Sequence, residues 1–288
     1  MKLYRDFTTQ EELDREYNAV AAVPEAETIL RRWQMESAKV LERYRPRLGV
    51  AYGPTRFERL DVFPAGPGTP LHLFFHGGYW RRFRARDFAF LAPAFVDAGV
   101  TFVGVDYALC PEVRIGEIVR QVRAAVAWVW RHAAEFGADP ARITLSGHSA
   151  GGHLVAMALA TDWPGVYELP GDLIKGALAI SGIFDLAPLR WTFLQPALQL
   201  DEEEIARSSP IRQLPERAPP LVVAVGAKET AEFRRQSRAY WEAWRARGLS
   251  GALLEVAGCD HFTVLEELAR PGGALWAEAM AQLGGERS

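Results

Sequence analysis

Ser149 is the central residue of the pentapeptide GHSAG, Gly147 to Gly151, which follows the apolar run RITL after one intervening serine. A serine flanked by glycines in this way, between a strand and a helix, is typical of a nucleophile elbow. The turn is so sharp that only glycine fits at both flanks, and it presents the serine Oγ above the sheet. The sequence therefore predicts a nucleophilic serine. The simpler interpretation is a glycine-rich turn with a surface serine.

A nucleophilic serine needs a general base within hydrogen-bonding reach, and two histidines lie close to it in the chain. His148 adjoins Ser149, where neighbouring side chains diverge, and His153 lies one helical turn further along. His261 instead follows the last apolar run, ALLEVAG, on a late loop at the edge of the sheet. Because a base also needs its own orienting partner, we predict His261 as the base and neither nearer histidine.

The acid that orients this base should lie between the serine and the histidine in the chain, since that is the order in hydrolases with such an elbow. Glu229 satisfies this condition, because it stands just past the apolar run LVVAVG. Asp185 follows the preceding run, GALAISG, and is the alternative.

Three further acidic residues near these positions are predicted to have other roles. Asp260 adjoins His261 and would point away from it in an extended chain, so we interpret it as loop structure. Glu232 lies one helical turn too far along, although a shifted loop could bring it in. Asp106, at the end of TFVGVDY, is expected to fix the loop that carries a glycine pair.

That glycine pair, Gly77 and Gly78, follows the run LHLFF within His76 to Trp80, HGGYW. Adjacent glycines let main-chain N–H groups turn toward a ligand, so either could join the Ala150 N–H as donors to an oxyanion. The loss of one such donor costs about 3 to 4 kcal/mol in studied hydrolases. His76 is expected to brace this loop by hydrogen bonding and to take no direct part in catalysis.

Several aromatic residues fall on the predicted site loops. Any one of them could simply pack in the core, but together they suggest a substrate-binding surface for a flat, apolar or aromatic molecule. These residues are Tyr79, Trp80, Trp191, Phe193 and Phe262.

The elements that must position these residues alternate along the chain. From residue 57 onward, short runs rich in Val, Ile, Leu and Phe alternate with helical patterns, which predicts an α/β fold with a largely parallel sheet and helices on both faces. Residues 1–50 are predicted to be an N-terminal helical arm, in which the helical part spans residues 9–45 and opens with a threonine cap. Residues 186–218, with several prolines and no clear strand, are predicted to be a helical cap insertion. From its length, residues 1–288 are expected to form one α/β domain.

The charge of the chain argues against some classes of binding partner. The formal net charge is −3 without a run of like charge, which argues against nucleic acid or an anionic membrane as a partner. We expect a small-molecule substrate and allow for a homodimer.

The start of the chain lacks the apolar core of a signal peptide, so a soluble, cytoplasmic protein is expected. The two cysteines, Cys110 and Cys259, are interpreted as buried thiols. No metal-ligand spacing occurs among the histidines, and no cofactor is expected.

Four segments together resemble one family. They are His76–Trp80 (HGGYW), Gly147–Leu154 (GHSAGGHL), Gly226–Ser237 (GAKETAEFRRQS) and Asp260–Phe262 (DHF). They are similar to the arylformamidase (kynurenine formamidase) branch of the α/β-hydrolases, near the hormone-sensitive-lipase-type esterases. The match runs from about residue 55 to 270. Tyr79 stands where plain esterases usually carry a third glycine, which favours the formamidase branch.

The resemblance implies roles for individual residues and a reaction. It implies Ser149 as nucleophile, Glu229 as acid and His261 as base, with oxyanion donors at Gly77, Gly78 and Ala150. The implied reaction is hydrolysis of N-formylkynurenine to kynurenine and formate through an acyl-enzyme. Glu229 and Thr263 differ from the aspartates that eukaryotic formamidases carry at these places.

Two other functions stay open at this point. A broad carboxylesterase would use the same triad on short acyl esters. A non-catalytic small-molecule receptor could share the fold, since this fold also hosts binding proteins.

Overall fold

The computed structural model describes residues 2–284, and in this part of the chain one eight-stranded sheet forms the centre of the molecule. Across the sheet the strand order is β1-β2-β4-β3-β5-β6-β7-β8. β2 runs antiparallel to both of its neighbours, and from β4 to β8 every pairing is parallel. The strands are β1 (Arg47–Ala51), β2 (Arg59–Phe63), β3 (Thr69–Phe75), β4 (Thr101–Val105), β5 (Ala138–His148), β6 (Ile174–Ile180), β7 (Leu221–Gly226) and β8 (Gly251–Val256).

The prediction of a largely parallel sheet is confirmed, and the predicted apolar runs overlap the strands β2 to β8. The inner strands β3, β6 and β7 are buried along nearly their whole length, as expected for a sheet that is covered on both faces. β1 was not predicted. It is an edge strand whose residues are mostly exposed, so it lacks the apolar run that identifies the others.

Helices cover both faces of this sheet. α5, α6 and α10 pack on one face, and α4, α11 and α12 pack on the other. The helices are α1 (Gln10–Tyr17), α2 (Ala19–Ala22), α3 (Ala26–Tyr44), α4 (Ala92–Val96), α5 (Ile115–His132), α6 (Ala150–Leu159), α7 (Trp163–Tyr167), α8 (Gln195–Leu198), α9 (Glu202–Ser208), α10 (Ala231–Ala246), α11 (Thr263–Ala269) and α12 (Ala274–Gln282). Short 3-10 helices span Ala85–Leu91, Ala133–Phe136, Ala187–Trp191 and Pro210–Arg212.

The register of the parallel strands brings the predicted site loops together. Phe75, the last residue of β3, pairs with Gly147 of β5, and Ile180 at the end of β6 pairs with His148. β7 and β8 end on the same pair, Gly226 and Val256. The segments after β3, β5, β7 and β8 therefore leave the sheet from the same edge, where sites in α/β folds form.

The N-terminal arm is helical between Gln10 and Tyr44, which agrees with the helix predicted over residues 9–45, and the last part of segment 1–50 begins the strand β1. The predicted threonine cap is present: the Thr9 hydroxyl oxygen accepts a hydrogen bond from the Glu12 N–H, and the Glu12 carboxylate accepts one from the Thr9 N–H. Met1 and residues 285–288 of the predicted domain lie outside the described residues.

Segment 186–218 contains short helices, as predicted, but much of it packs beside α5 and α6. Glu204 of α9 accepts a hydrogen bond from the Gly116 N–H at the start of α5, at 2.6 Å. The carbonyl oxygen of Ser208 is 2.7 Å from His153 Nε2 on α6.

Between residues 2 and 284, no helix has both the length and the apolar character needed to cross a membrane.

Candidate active site

Ser149 lies in the sharp turn between β5 and α6. Its backbone φ of 57° and ψ of −117° are a combination that residues other than glycine rarely adopt. A Cβ on Gly147 would lie 2.2 Å from the carbonyl oxygen of Gly151, and one on Gly151 would lie 1.9 Å from that of Phe75. Neither distance is compatible with a side chain. Both flanking positions therefore require glycine, as the sequence pattern indicates.

His261 and Glu229 meet on the loops after β8 and β7. His261 Nδ1 is 2.7 Å from Glu229 Oε2, and both side chains are buried. The other carboxylate oxygen, Oε1, accepts the Gly226 N–H at 2.7 Å and the Ser181 hydroxyl at 2.5 Å. Since a carboxylate only accepts, Nδ1 carries the proton and Nε2 is left as the basic nitrogen. This arrangement can take a proton from a nearby alcohol.

The two histidines nearest to Ser149 in the chain are each bound by a backbone carbonyl. His148 Nε2 is 2.7 Å from the carbonyl oxygen of His261, and His153 Nε2 is 2.7 Å from that of Ser208. Burial lowers the pKa of His153 to about 4. Burial, and then the neighbouring His261, hold the pKa of His148 well below its usual range. Both rings are therefore neutral near pH 7.

The other candidate acids have partners of their own. Asp185 accepts hydrogen bonds from the Tyr4 hydroxyl and the Ala187 N–H, both at 3.0 Å. Asp260 caps its own loop by accepting the N–H groups of Phe262 and Thr263.

Glu232 and Asp106 also hold structure in place. Glu232 forms an ion pair with Arg235 and accepts the Tyr17 hydroxyl at 2.7 Å. Asp106 accepts the Ala85 N–H at 2.7 Å, on the segment that follows the glycine pair.

The glycine pair lies directly against the elbow. A Cβ on Gly77 would be 3.2 Å from Ser149 Cβ, and Gly78 has a φ of 101°, which favours glycine. Ala150 is the first residue of α6, so its N–H has no acceptor within the helix. The backbone N–H groups of Gly77, Gly78 and Ala150 and the positive end of the α6 dipole can together stabilise a negative oxygen beside Ser149.

His76 braces this loop, as expected. Its Nδ1 is 2.8 Å from the Gly77 carbonyl oxygen, and its ring stacks on Tyr107 at 4.1 Å. The Tyr107 hydroxyl donates to the His76 carbonyl oxygen at 2.6 Å. Burial lowers the pKa of His76 to about 4.

Ser149 and His261 both line a cavity of about 280 Å³. Its wall is largely apolar and aromatic, a composition typical of small-molecule sites. The lining residues are Asn18, Ala19, Val20, Leu30, Trp33, Gly77, Gly78, Tyr79, Arg81, Arg82, Phe83, Phe88, His148, Ser149, Phe193, His261 and Phe262.

Comparisons with known proteins identify the family of this chain. A family model described as the α/β-hydrolase fold matches residues 72–191. The kynurenine formamidase of Danio rerio is 36% identical, over 77% of this chain and 76% of its own length. The chain belongs to the kynurenine formamidase branch of the α/β-hydrolases. An esterase of Mycobacterium tuberculosis is 29% identical, over 83% of this hydrolase and 65% of its own length.

A solved structure from Silicibacter, described as a candidate thioesterase, is also similar to this hydrolase. It is 33% identical, has a TM-score of 0.82 and covers 92% of this chain and 98% of its own. The chain is therefore a serine hydrolase by family, and the predicted α/β-hydrolase fold is confirmed.

The predicted aromatic residues divide into two groups. Tyr79, Phe193 and Phe262 line the cavity of this hydrolase. Trp80 does not, because it is fully buried and packs edge-on against His153 at 4.9 Å. Trp191 also lies off the cavity wall and is 41% exposed. Phe193 is the one residue of segment 186–218 on that wall, so the predicted cap contributes little to the covering of the site.

The N-terminal arm covers the site instead, a role that the sequence analysis missed. Trp33 and Leu30 of α3 and Ala19 of α2 line the cavity. The helical spacing of Trp33 marks it as buried but does not reveal which surface it covers. The arginines at positions 81 and 82, just past HGGYW, were also missed, although their closeness to the glycine pair was a usable signal.

Among residues 2–284, no group of three or more His, Cys, Asp or Glu side chains is arranged to hold a metal ion.

Proposed function

We propose that this hydrolase removes the formyl group from an N-formylated arylamine that carries a carboxylate, and that N-formylkynurenine is such a substrate. The observation that carries the proposal is the cavity itself, in which Ser149 and His261 share an aromatic wall with two arginines. The kinship with kynurenine formamidases supports the same substrate class.

The proposed reaction passes through a formyl-enzyme. Ser149 Oγ attacks the formyl carbon while His261 Nε2 takes the hydroxyl proton, and Glu229 stabilises the resulting imidazolium. The oxyanion is bound by N–H groups of Gly77 or Gly78 and Ala150. The C–N bond then breaks, and the arylamine leaves with the proton from His261. Water repeats the sequence, and formate is released.

Charge on the cavity wall favours an anionic substrate. Arg81 lies over the Phe193 ring at 5.8 Å, and Arg82 lies over Phe83 at 5.1 Å. Within the described part of the chain, neither guanidinium forms an ion pair with a carboxylate, and no carboxylate lines the cavity. The two cations are thus available to a substrate carboxylate, which N-formylkynurenine has and simple esters lack.

A comparison of kcat/KM for N-formylkynurenine and p-nitrophenyl acetate tests this proposal. We expect the formamide to be preferred by about 100-fold or more, since charge-assisted hydrogen bonds contribute about 1.5 to 3 kcal/mol each. Ser149→Ala should lower kcat for both substrates by about 10⁶-fold, as nucleophile deletion does in a comparable triad. Equal or lower kcat/KM for the formamide would contradict the substrate assignment.

A broad-specificity carboxylesterase is the second candidate function. It is favoured by the similarity to esterases, among them the one from Mycobacterium tuberculosis. The same kinetic comparison separates the two, because an esterase would prefer the neutral ester.

We also infer a cytoplasmic location and allow for a homodimer. Cys110 and Cys259 are both free thiols, which is usual for proteins of reducing compartments. Cell fractionation tests the location, and analytical ultracentrifugation of the purified chain tests the dimer.

A further inference from the structure

His148 connects the two loops on which the proposed chemistry depends. Its ring is 3% exposed, and its Nε2 is 2.7 Å from the carbonyl oxygen of His261. The two imidazole centroids are 4.7 Å apart. On its other side, a Cβ placed on Gly77 would be 3.3 Å from His148 Nδ1. The His148 imidazole therefore lies between the loop that carries Gly77 and Gly78, here called the glycine loop, and the loop that carries His261.

The hydrogen bond fixes the tautomer of His148. A carbonyl oxygen only accepts, so Nε2 carries the proton and Nδ1 keeps its lone pair. Burial keeps this ring neutral, because the pKa of His148 lies well below its usual range. A neutral neighbour adds no like-charge repulsion when His261 becomes an imidazolium during the reaction.

Two hydrogen bonds thus hold His261 from different sides. Glu229 holds the ring at Nδ1, and His148 holds the peptide carbonyl of the same residue. In residues 2–284, no other hydrogen bond reaches that carbonyl oxygen. The other end of the same peptide group is held by the Phe262 N–H, which donates to Asp260 Oδ1 at 2.9 Å. Without His148 the carbonyl end of this peptide group would lose its hydrogen bond, and the backbone that carries the His261 ring could shift.

We propose that His148 is a positioning residue that holds the His261 loop in register with Ser149 and the glycine pair. The inference rests on the proposed triad but not on the identity of the substrate. It assigns His148 an effect on kcat, because the geometry of proton transfer depends on the loop. His148 is also one of the residues that line the cavity, but it is 3% exposed, so we expect a smaller effect on KM than on kcat.

His153 offers a matched control within the same elbow. It is also a buried imidazole whose Nε2 is 2.7 Å from a backbone carbonyl, but that carbonyl belongs to Ser208, outside the site. A purely structural role for His148 would make the two residues equivalent in their effect on kcat.

The test compares His148→Gln, His148→Asn and His148→Phe with His153→Gln and His153→Phe. Glutamine places an amide N–H as many bonds from Cβ as histidine Nε2, whereas asparagine is one bond shorter and phenylalanine has no donor. Each variant is assayed for kcat and KM with p-nitrophenyl acetate. The downfield ¹H NMR resonance of the His261 Nδ1 proton is recorded, and the melting temperature reports on folding.

We expect His148→Asn and His148→Phe to lower kcat by about 10- to 100-fold with KM changed less than about threefold, since misplacement by 1 Å can cost about 100-fold in rate. His148→Gln should recover most of kcat. The His261 proton signal should broaden in the first two variants and stay sharp in His148→Gln. Both His153 variants should keep the signal and kcat, even where the melting temperature falls.

Equal kcat in His148→Gln and His148→Asn, both folded, would overturn the inference, as would equal losses in the His148 and His153 variants. His261→Gln separates this outcome from failure of the triad. If His261→Gln retains wild-type kcat, the triad itself is wrong. If it is inactive while His148→Asn is fully active, only the positioning role is wrong.

Discussion

At the scale of single residues, hydrogen-bonding partners decide which of several similar side chains can do chemistry. His148, His153 and His261 are all buried imidazoles near the elbow. Two of them donate to backbone carbonyls, and only His261 has a carboxylate at Nδ1 that leaves Nε2 as a base. The partner of each ring, and not its distance from Ser149 along the chain, therefore separates the base from its rivals.

The Glu229 carboxylate fixes the tautomer of His261. Glu229→Gln should lower kcat/KM by about 10⁴-fold, because a neutral amide can stabilise the wrong tautomer, as the equivalent change does in a serine protease triad. The measurement is steady-state hydrolysis of p-nitrophenyl acetate. Asp185→Asn serves as the control and should stay within about threefold of the wild type. A larger loss for Asp185→Asn than for Glu229→Gln would reverse the assignment.

The arginines on the cavity wall give a second prediction for single residues. Arg81→Gln and Arg82→Gln should each raise KM for N-formylkynurenine by about 10-fold, since a charge-assisted hydrogen bond contributes about 1.5 to 3 kcal/mol. Neither change should affect p-nitrophenyl acetate, which has no carboxylate. Arg84→Gln, on the same segment but off the cavity wall, is the control. Unchanged KM in both variants would show that these cations do not select the substrate.

Much of the chemistry could be predicted from sequence because it depends on local constraints. The glycines around Ser149 are required by contacts under 2.3 Å, and such requirements leave a readable pattern. Trp80 could not be placed in this way. Tyr79 and Trp80 have nearly the same backbone φ, 50° and 55°, yet the Trp80 side chain is buried in the core and Tyr79 lines the cavity. Sequence adjacency does not determine which of two aromatic rings faces a ligand.

At the scale of secondary structure elements, the arm matters more to the site than segment 186–218. Tyr17, at the end of α1, is fully buried, and its hydroxyl donates to Glu232 at 2.7 Å and accepts from Gln236 at 2.8 Å. The Tyr79 hydroxyl donates to the Tyr17 carbonyl oxygen. These contacts attach the arm to α10 and to the glycine loop, and so hold α2 and α3 over the cavity.

Tyr17→Phe should therefore lower the free energy of unfolding by about 1 to 3 kcal/mol, the usual cost of removing a buried hydrogen bond to a charged group. KM should rise as well, because the arm forms part of the cavity wall. Urea denaturation and steady-state kinetics measure the two effects. Tyr44→Phe is the matched control on the same arm, since its hydroxyl bonds Asp97 at the surface. If both variants are equally stable and active, the arm is not held by Tyr17.

Element boundaries were predictable where burial is regular and not elsewhere. The strands β3 to β8 coincide with apolar runs that are evident in the sequence. β1 has a burial pattern that is almost entirely exposed, so no apolar periodicity marks it. The prolines in segment 186–218 correctly indicate irregular helices, but only tertiary packing shows that α9 binds α5 rather than covering the site.

At the scale of the whole molecule, several histidines are buried in neutral form. Burial lowers the pKa of His72 to about 3, and those of His76 and His153 to about 4. In the unfolded chain these groups titrate near 6.5, so below that pH the unfolded state binds more protons than the folded state. The contribution of these histidines to the free energy of unfolding is therefore complete above pH 6.5 and declines as the pH falls. Buried Asp61 and Asp106, whose pKa values are raised by burial, act in the opposite direction.

His72→Gln isolates one of these contributions. His72 bonds the hydroxyls of Thr144 and Ser146, which an amide can also reach. The difference in the free energy of unfolding between wild type and variant should shrink by about 1.4 kcal/mol per pH unit between pH 6.5 and 4.5. Urea denaturation over this range measures it. A difference that does not vary with pH would show that His72 titrates normally in the folded protein.

His261, although distant from Ser149 along the chain, is expected to activate it within one cavity. The most direct measurement is the rate of covalent labelling by a fluorophosphonate, with mass spectrometry of the modified peptide, in the wild type and in His261→Gln. We expect one label per chain on Ser149, and a labelling rate at least about 10³-fold lower in the variant, as expected when a triad base is lost. Labelling of another residue, or an unchanged rate in His261→Gln, would contradict it.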